Sequence, residues 1–365
     1  MNDITRGEIS SLRSQIAKRA HAYFPDLSDQ ISIEVLHRGR PWMRKHSVLF
    51  EISVLDQAKR TSRGIFVKIP RYASDQAIEL TYHTLRDLYN YSLQLPDDLN
   101  VVRPLDFLPE LRAIITERVE GESLDCLVRS QPDNALYAEI VKSCGCFLRL
   151  YHEGMGDISW ESNCYEAFLT QCSAYLADLD NDGVGKRERE RIRAGFLDGA
   201  NLLRQCTPMV TTVKDYVAGN IIVQGRRTFL IEVTKPRRKP IYSDLAYFIN
   251  SLTMLYWKTP WFLFGSVPSP ILAERFLQGY FKDPIPVELV SLFSAQALCH
   301  QWHVATTSLS AKRRNLGGAV SFIPLKYRID AFFHRHIMNH LKIASSAGVQ
   351  KSSSNSPRRI SLARF

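Results

Sequence analysis

The sequence predicts an α+β protein of two lobes: a small one built on an antiparallel sheet and a larger, mainly helical one. Three observations point there. Between residues 31 and 119, short runs of β-branched and aromatic residues alternate with turn residues around one helical segment. From Asp125 onward the pattern turns helical, interrupted by two strand-like pieces, GNIIVQG and RTFLIEV. At 365 residues the chain exceeds one ordinary domain, and two lobes sharing a cleft account for the excess.

The N-terminal stretch MNDITRGEISSLRSQIAKRAHAYF lacks the apolar core of a signal peptide and reads as an amphipathic helix, the body of an extension over residues 1–30. ISIEVLHRG from Ile31, HSVLFEISVLD from His46 and RGIFVKIP from Arg63 follow as an antiparallel meander. SDQAIELTYHTLRDLYNY then opens at Ser74 with an N-cap and helical periodicity. VVRPLDFLPE and LRAIITERV flank a turn near Pro109 and complete a first lobe at residues 31–119. A second lobe, 120–344, begins with NALYAEIVKSCGCFLRLYHEGMG and continues through GKRERERIRAGFLDGANLLRQC. Within it, the two strand-like pieces form a hairpin around Gln224 to Arg226. Residues 345–365 are Ser-rich and basic with little to bury, and read as a disordered tail.

Composition narrows the chemistry. A net charge of +10 favours an anionic partner: a nucleotide, a phosphorylated substrate, nucleic acid or an acidic membrane surface, among which charge alone does not choose. Seven scattered cysteines make no disulfide framework, and Cys144 and Cys146 lack the spacing of a zinc knuckle or redox pair, so a reducing cytoplasm is the expected home. The most apolar segment, YFINSLTMLYWKTPWFLFG from Tyr247, is broken by Lys258 and Pro260 and falls short of the ~20 apolar residues of a membrane span; it reads as a buried helix followed by a turn. DLDNDG at Asp178 imitates a calcium loop, but Lys186 and Arg189 occupy ligand positions and reject it. His334, His336 and His340 read as a helix surface rather than a zinc site. The same helix carries Phe332, Phe333, Ile337, Met338 and Leu341, for packing on the large lobe or for resting on an anionic membrane. Walker A, Rossmann and Gly-x-Ser-x-Gly patterns are absent.

One set of residues does suit phosphoryl transfer, which needs a cation on the phosphates, metal held by oxygen ligands and a carboxylate to take the acceptor's proton. Lys68 lies in the buried-strand context Ile-Phe-Val-Lys-Ile, where an ammonium needs an anionic partner, and Glu79 on the next helix is the natural one. Asp215 and Asn220, in Asp-Tyr-Val-Ala-Gly-Asn, have the D-x-x-x-x-N spacing of a catalytic base and a metal ligand. Glu232 follows the hairpin as a second metal ligand. Asp244 begins SDLAYFINSL, where a buried carboxylate at a helix start can accept backbone N–H groups of the catalytic loop.

With VKIP at Lys68, ITERVEGESL, LRLYHEGMGD, DYVAGN, LIEV and YSDLAYF, residues 31 to 255 resemble the aminoglycoside phosphotransferase-like enzymes, the small-molecule branch of the protein-kinase-like superfamily. The resemblance implies a bilobal protein-kinase-like fold and ATP in the cleft. Glu117 and Val119 would offer hinge backbone to adenine, and Ile222 part of the apolar floor. It makes Asp215 the base, Asn220 and Glu232 the ligands of Mg²⁺ or Mn²⁺, and Lys68 with Glu79 the phosphate clamp.

The chain departs from that pattern at Val213 and Lys214, where the family has His-Gly, at Glu232 in place of Asp, and in RGRPWMRKH, which lacks a glycine-rich loop. These departures motivate a second reading, a pseudokinase that binds nucleotide or a partner. Lys235, Arg237, Arg238 and Lys239 form a basic run that is either a solvated loop or the holder of an anionic acceptor. The second alternative resembles lipopolysaccharide-core sugar kinases, whose acceptors are anionic and membrane-attached. The expected acceptor is a small molecule or glycan, with peripheral membrane contact as an option and no nucleic-acid partner.

Overall fold

The computed structural model describes residues 6–36, 42–44, 47–96, 98–131, 135–155, 158–162, 164–213, 215–233, 237–255, 269–282, 284–316 and 322–350. Along the chain run α1 (Arg6–Tyr23), β1 (Ile31–Leu36), β2 (Trp42–Arg44), β3 (Ser47–Asp56), β4 (Thr61–Pro70), α2 (Asp75–Ser92), β5 (Leu99–Val101), β6 (Pro104–Leu108), β7 (Ala113–Glu117) and β8 (Glu122–Ser123). There follow α3 (Leu124–Ser130), α4 (Ala135–Gly154), β9 (Ser159–Glu161), α5 (Tyr165–Asn181), α6 (Lys186–Ala200), β10 (Thr207–Thr212), β11 (Ile221–Gln224) and β12 (Arg227–Leu230). The last elements are β13 (Arg237–Pro240), α7 (Tyr242–Met254), α8 (Ser269–Tyr280), α9 (Val287–Leu316) and α10 (Phe322–Gln350). Two compact units result, one of Met1–Ser123 with Asn220–Lys235, the other of Leu124–Gly219 with Pro236–Phe365. The small-sheet and helical halves of an α+β fold are thus both present.

In the first unit the strands order as β1-β3-β4-β7-β6, with β2 paired to the start of β3. The long β3–β4 hairpin runs in register from Asp56↔Thr61 to Ser47↔Pro70. Alternation decides its faces: Ile65 and Val67 of β4 and Phe50, Ile52 and Val54 of β3 are buried. The helix α1 is part of this core rather than an appendage to it. Its residues Leu12, Ile16 and Ala20, spaced by four, join the same buried cluster. Tyr23 at its end donates to Asp106 at 2.8 Å, and Arg19 pairs with Asp106 at 3.1 Å.

VVRPLDFLPE is split between two sheets. Val101 belongs to β5, which runs parallel to β12 in a second sheet ordered β5-β12-β11-β8, whereas Pro104 to Leu108 pair with β7. The β11–β12 hairpin closes with Gly225 and Arg226 between the partners Gln224 and Arg227. Gly225, at φ 62, takes the positive dihedral that primed two-residue turns require.

The second unit is helical around a sheet ordered β13-β10-β9. The helices α4 and α8 approach through glycines on both. A Cβ at Gly145 would lie 2.0 Å from the Phe276 carbonyl oxygen, and one at Gly279 would lie 2.0 Å from that of Lys142. The first half of the apolar segment at Tyr247 is the buried helix α7; the turn expected after it lies outside the described residues. No described helix is long and apolar enough to cross a membrane. The helix α10 continues to Gln350, past the expected start of the tail at 345, and residues 351–365 lie outside the described ones.

The expectation of a histidine-bearing helix surface is corrected by the packing of α10 on α9 and α6. Phe332, Phe333, Ile337 and Leu341 are buried, so the apolar face that suggested a membrane contact is covered by the chain's own helices. His336 lies against the Phe332 ring, 4.5 Å between centroids. Burial, helped by Arg335, depresses His336 to about 4; burial, helped by His336, depresses His340 to about 4. Among the described residues no group of three His, Cys, Asp or Glu side chains could hold a metal.

Two outcomes follow from this packing. Gly145→Ala would gain ~1 kcal/mol at an open helical site; against the Phe276 carbonyl it should instead lower stability by roughly 1–3 kcal/mol. A lower thermal midpoint is expected, and a raised one contradicts the close crossing. For the histidines, the unfolded chain binds protons near the ordinary 6.5 and the folded chain near about 4. The stability they contribute is therefore whole above 6.5 and lost as pH falls toward 4. Urea midpoints measured across that window should fall, and fall less steeply in His340→Gln; equal slopes contradict the assignment.

Candidate active site

In the first unit Lys68 occupies the face of β4 opposite Ile65 and Val67, flanked by its strand partners Leu49 and Ile114. Its ammonium pairs with the carboxylate of Glu232, each side chain 23% exposed. This corrects the expected Lys68–Glu79 clamp. The buried face of α2 is Ile78, Leu85, Leu88 and Ser92; Glu79 lies off it, exposed, with His83 as its partner at 3.7 Å. The half-buried Glu232 is delivered by the β11–β12 hairpin and takes the lysine instead.

That hairpin also positions Asn220 and Ile222. Asn220, 9% exposed, accepts the Ile231 N–H at 2.9 Å through its backbone carbonyl, which puts it opposite Ile231, the residue before Glu232, at the open end of the hairpin. Ile222 pairs with Phe229 on one side and Ser123 on the other. Gly121 permits this pairing: a Cβ there would lie 2.3 Å from the Val223 carbonyl oxygen. Glu117 donates its N–H to the Arg103 carbonyl at 2.9 Å and pairs with the Arg103 guanidinium at 3.8 Å. Val119, two residues on, is half-buried and in no strand or helix. An amide oxygen and a carboxylate beside an ammonium are the hard donors and the cation that a metal-bound phosphate requires, so the donor set fits that group.

In the second unit Asp215 sits in the left-handed region at φ 70, which is uncommon for a residue other than glycine. The loop around it is held on both sides. Before it, the Val213 N–H donates to Asp244 Oδ2 at 2.7 Å. After it, the Tyr216 N–H donates to the Val213 carbonyl at 3.1 Å and the Ala218 N–H to Ser251 Oγ at 3.1 Å. Tyr216 is 2% exposed; its hydroxyl donates to the Cys144 carbonyl at 2.8 Å and its ring lies between Phe147 and Phe248. Asp244 is itself buried, with His152 Nε2 3.3 Å from Oδ2 and the Tyr280 hydroxyl 2.8 Å from His152 Nδ1. Val213 is 3% exposed, so it packs as a core residue at the position where the resemblance has histidine.

Lys214 and Lys235 lie outside the described residues. Arg237, Arg238 and Lys239 are not a loop: they form the edge strand β13, antiparallel to β10 with Thr212↔Arg237, Thr211↔Arg238 and Val210↔Lys239. Thr212 Oγ1 donates to the Arg237 carbonyl at 2.8 Å, and Arg238 contacts Ser159 and Glu161 of β9.

Sequence reasoning missed Tyr247 and Tyr175. Burial, and after it the neighbouring Tyr175, Asp215 and Asp244, push the Tyr247 hydroxyl well above its ordinary range, with Arg237 opposing. Tyr175 accepts from Gln171 at 2.6 Å and lies 5.2 Å from the His300 ring. Tyr247 therefore stands among Tyr175, Asp215, Asp244 and Arg237. His152 and Tyr247 were present in LRLYHEG and DLAYF, but one strand of text does not show that both meet the Asp244 region.

Solved structures with this arrangement of elements exist. A choline/ethanolamine kinase family protein from Mesorhizobium loti superposes with a TM-score of 0.53 at 12% identity, over 91% of this chain and 99% of that one. An amicoumacin kinase in complex with AMP-PNP and Ca²⁺ gives 0.52 at 11% identity, over 91% and 96%. A choline kinase from Cryptosporidium parvum Iowa II gives 0.50 at 10%, over 94% and 97%. The chain has the protein-kinase-like fold. No family model and no curated protein matches it by sequence.

The Asp244 contact makes a local prediction. In Asp244→Ala the buried Val213 N–H loses its acceptor, at a cost of about 1–3 kcal/mol, and its hydrogen exchange should accelerate well beyond that of distant β3 amides. Unchanged exchange at Val213 contradicts the anchoring role.

Proposed function

We propose that the protein is an ATP- and divalent-metal-dependent phosphotransferase that moves the γ-phosphate to a hydroxyl of a small molecule or glycan. The observation that carries this is the loop from Val213 to Asn220: a left-handed Asp215 held by three backbone contacts, then an asparagine whose hairpin brings Glu232 to Lys68. A free side chain on a solvated turn would need none of that support.

In this reading Asp215 orients the acceptor hydroxyl and takes its proton as the oxygen attacks phosphorus. Lys68 neutralises charge on the nucleotide phosphates, and its contact with Glu232 keeps that cation beside the metal ligands. Asn220 and Glu232 hold Mg²⁺ or Mn²⁺, which when bound screens the phosphate oxygens. Glu117 and Val119 supply backbone to adenine, and Ile222 an apolar surface beneath it. Val213, buried and hydrogen-bonded, supports a working loop over a pseudokinase, because the departure from the family pattern is accommodated by packing.

For the acceptor, the similar structures named for choline/ethanolamine and amicoumacin kinases support a small molecule. Arg237 near Tyr247, on a strand with Arg238 and Lys239, favours one that carries negative charge, such as a phosphorylated or acidic sugar, including a lipid-linked one. Tyr175 and Tyr247 offer ring faces for a sugar.

An ATP-consumption screen over neutral, amino and phosphorylated sugars, amino alcohols and nucleosides tests the reading. Asp215→Asn should lower transfer ~10²–10⁴-fold while the thermal shift produced by ATP with Mg²⁺ persists. Transfer at the wild-type rate in that variant overturns the assignment of the base.

A further inference from the structure

The segment 204–207 lies against β9 and the start of α5 at two points. Thr207 opens β10 as the strand partner of Glu161. The Arg204 guanidinium rests over the Tyr165 ring, 4.0 Å from its centroid. Each side of this contact carries one cysteine: Cys206, exposed, between Arg204 and Thr207, and Cys164, partly buried, between Glu161 and Tyr165. The Cys206 sulfur is near enough for its charge to oppose ionisation of Cys164.

From this geometry we infer that Cys164 and Cys206 form a thiol pair that closes to an intramolecular disulfide when the protein meets hydrogen peroxide. Nothing in the phosphotransferase reading requires it. Cys206, being exposed, meets the oxidant first; its sulfur, as thiolate, attacks a peroxide oxygen, the O–O bond breaks, and the sulfur becomes a sulfenic acid as hydroxide leaves and takes up the thiol's proton as water. Cys164 then attacks that sulfur. The S–S bond forms, the S–O bond breaks, and the departing hydroxide takes the Cys164 proton as a second water. Two thiols are oxidised and one peroxide is reduced to two waters. Burial holds the Cys164 thiol above its ordinary range, which leaves the first step to Cys206.

The remaining cysteines explain why this pair is singled out. Cys172 and Cys299 neighbour each other but are both buried away from an oxidant in water. Cys144 and Cys146 are two apart on α4 and do not face one another. Cys126 is exposed, with the Arg129 guanidinium 3.5 Å from its sulfur, and so serves as an internal control for a reactive thiol that forms no such pair.

The test is a peptide map of the full chain, folded, treated with hydrogen peroxide, alkylated and digested without reduction. The expected product is a Cys164–Cys206 crosslinked peptide, lighter than its two parts by two hydrogens and split by dithiothreitol. Cys206→Ser should remove it; Cys164→Ser should leave Cys206 as a sulfenic acid captured by dimedone. Crosslinking through other cysteines, or wild-type Cys206 accumulating as sulfenic acid at the level seen in Cys164→Ser, overturns the proposal. Because the map uses neither ATP nor acceptor, its failure leaves the phosphotransferase reading standing, and the failure of that reading leaves the map's result intact.

Discussion

A carboxylate buried at the start of α7 organises the second unit. Asp244 is 5% exposed, a position that costs several kcal/mol for an unpaired charge. It is satisfied by groups from separate parts of the chain: the Val213 N–H at the exit of β10, and His152 near the end of α4, which in turn meets Tyr280 at the end of α8. These partners must all be in place together, so the one residue fixes where β10 releases the chain relative to three helices. The left-handed turn at Asp215 comes two residues later, and Tyr216 then drives into the aromatic core between Phe147 and Phe248. A strained, partly buried residue is held by buried neighbours on either side, which is how a loop is kept rigid without fully burying the group it presents.

The first unit has a corresponding constraint in the Lys68–Glu232 pair. Partial burial of both groups strengthens their attraction over that of a surface pair, and it ties the strand β4 to a hairpin more than a hundred and fifty residues later in the chain. The hairpin register sets Asn220 opposite Ile231, the residue before Glu232. Position therefore comes from backbone pairing, and charge from two side chains that the pairing brings within reach.

The parts legible in the sequence were those with local causes. Alternation in SVLFEISVLD and RGIFVKIP, the cap at Ser74, and the glycine between IIVQ and RTFL all act within a few residues, and the strands, helix and hairpin lie where those signals put them. Asp215 and Asn220 were singled out by spacing, Lys68 by its strand context and Glu232 by its place after the hairpin, all of them local signals. What escaped was set by distant partners. Val101 leaves the run it shares with Pro104 because β12 offers it a parallel partner. RRKP, read as either a solvated loop or an acceptor-binding run, is an edge strand because β10 supplies a neighbour for it. His336 and His340, polar by type, are turned inward by packing with α9 and α6. Glu79, on the helix that follows Lys68, was the expected partner, whereas Glu232 is the one that meets it.

The functional account stands on the transfer of phosphate to carbon-bound oxygen, and phosphorus NMR reads that directly. The full chain would be incubated with ATP, Mg²⁺ and a mixture of sugars, sugar phosphates and amino alcohols, and the spectrum followed in time. The account predicts a new phosphomonoester resonance that grows in step with ADP. Persistent ATP, or ADP accompanied only by inorganic phosphate, would contradict it.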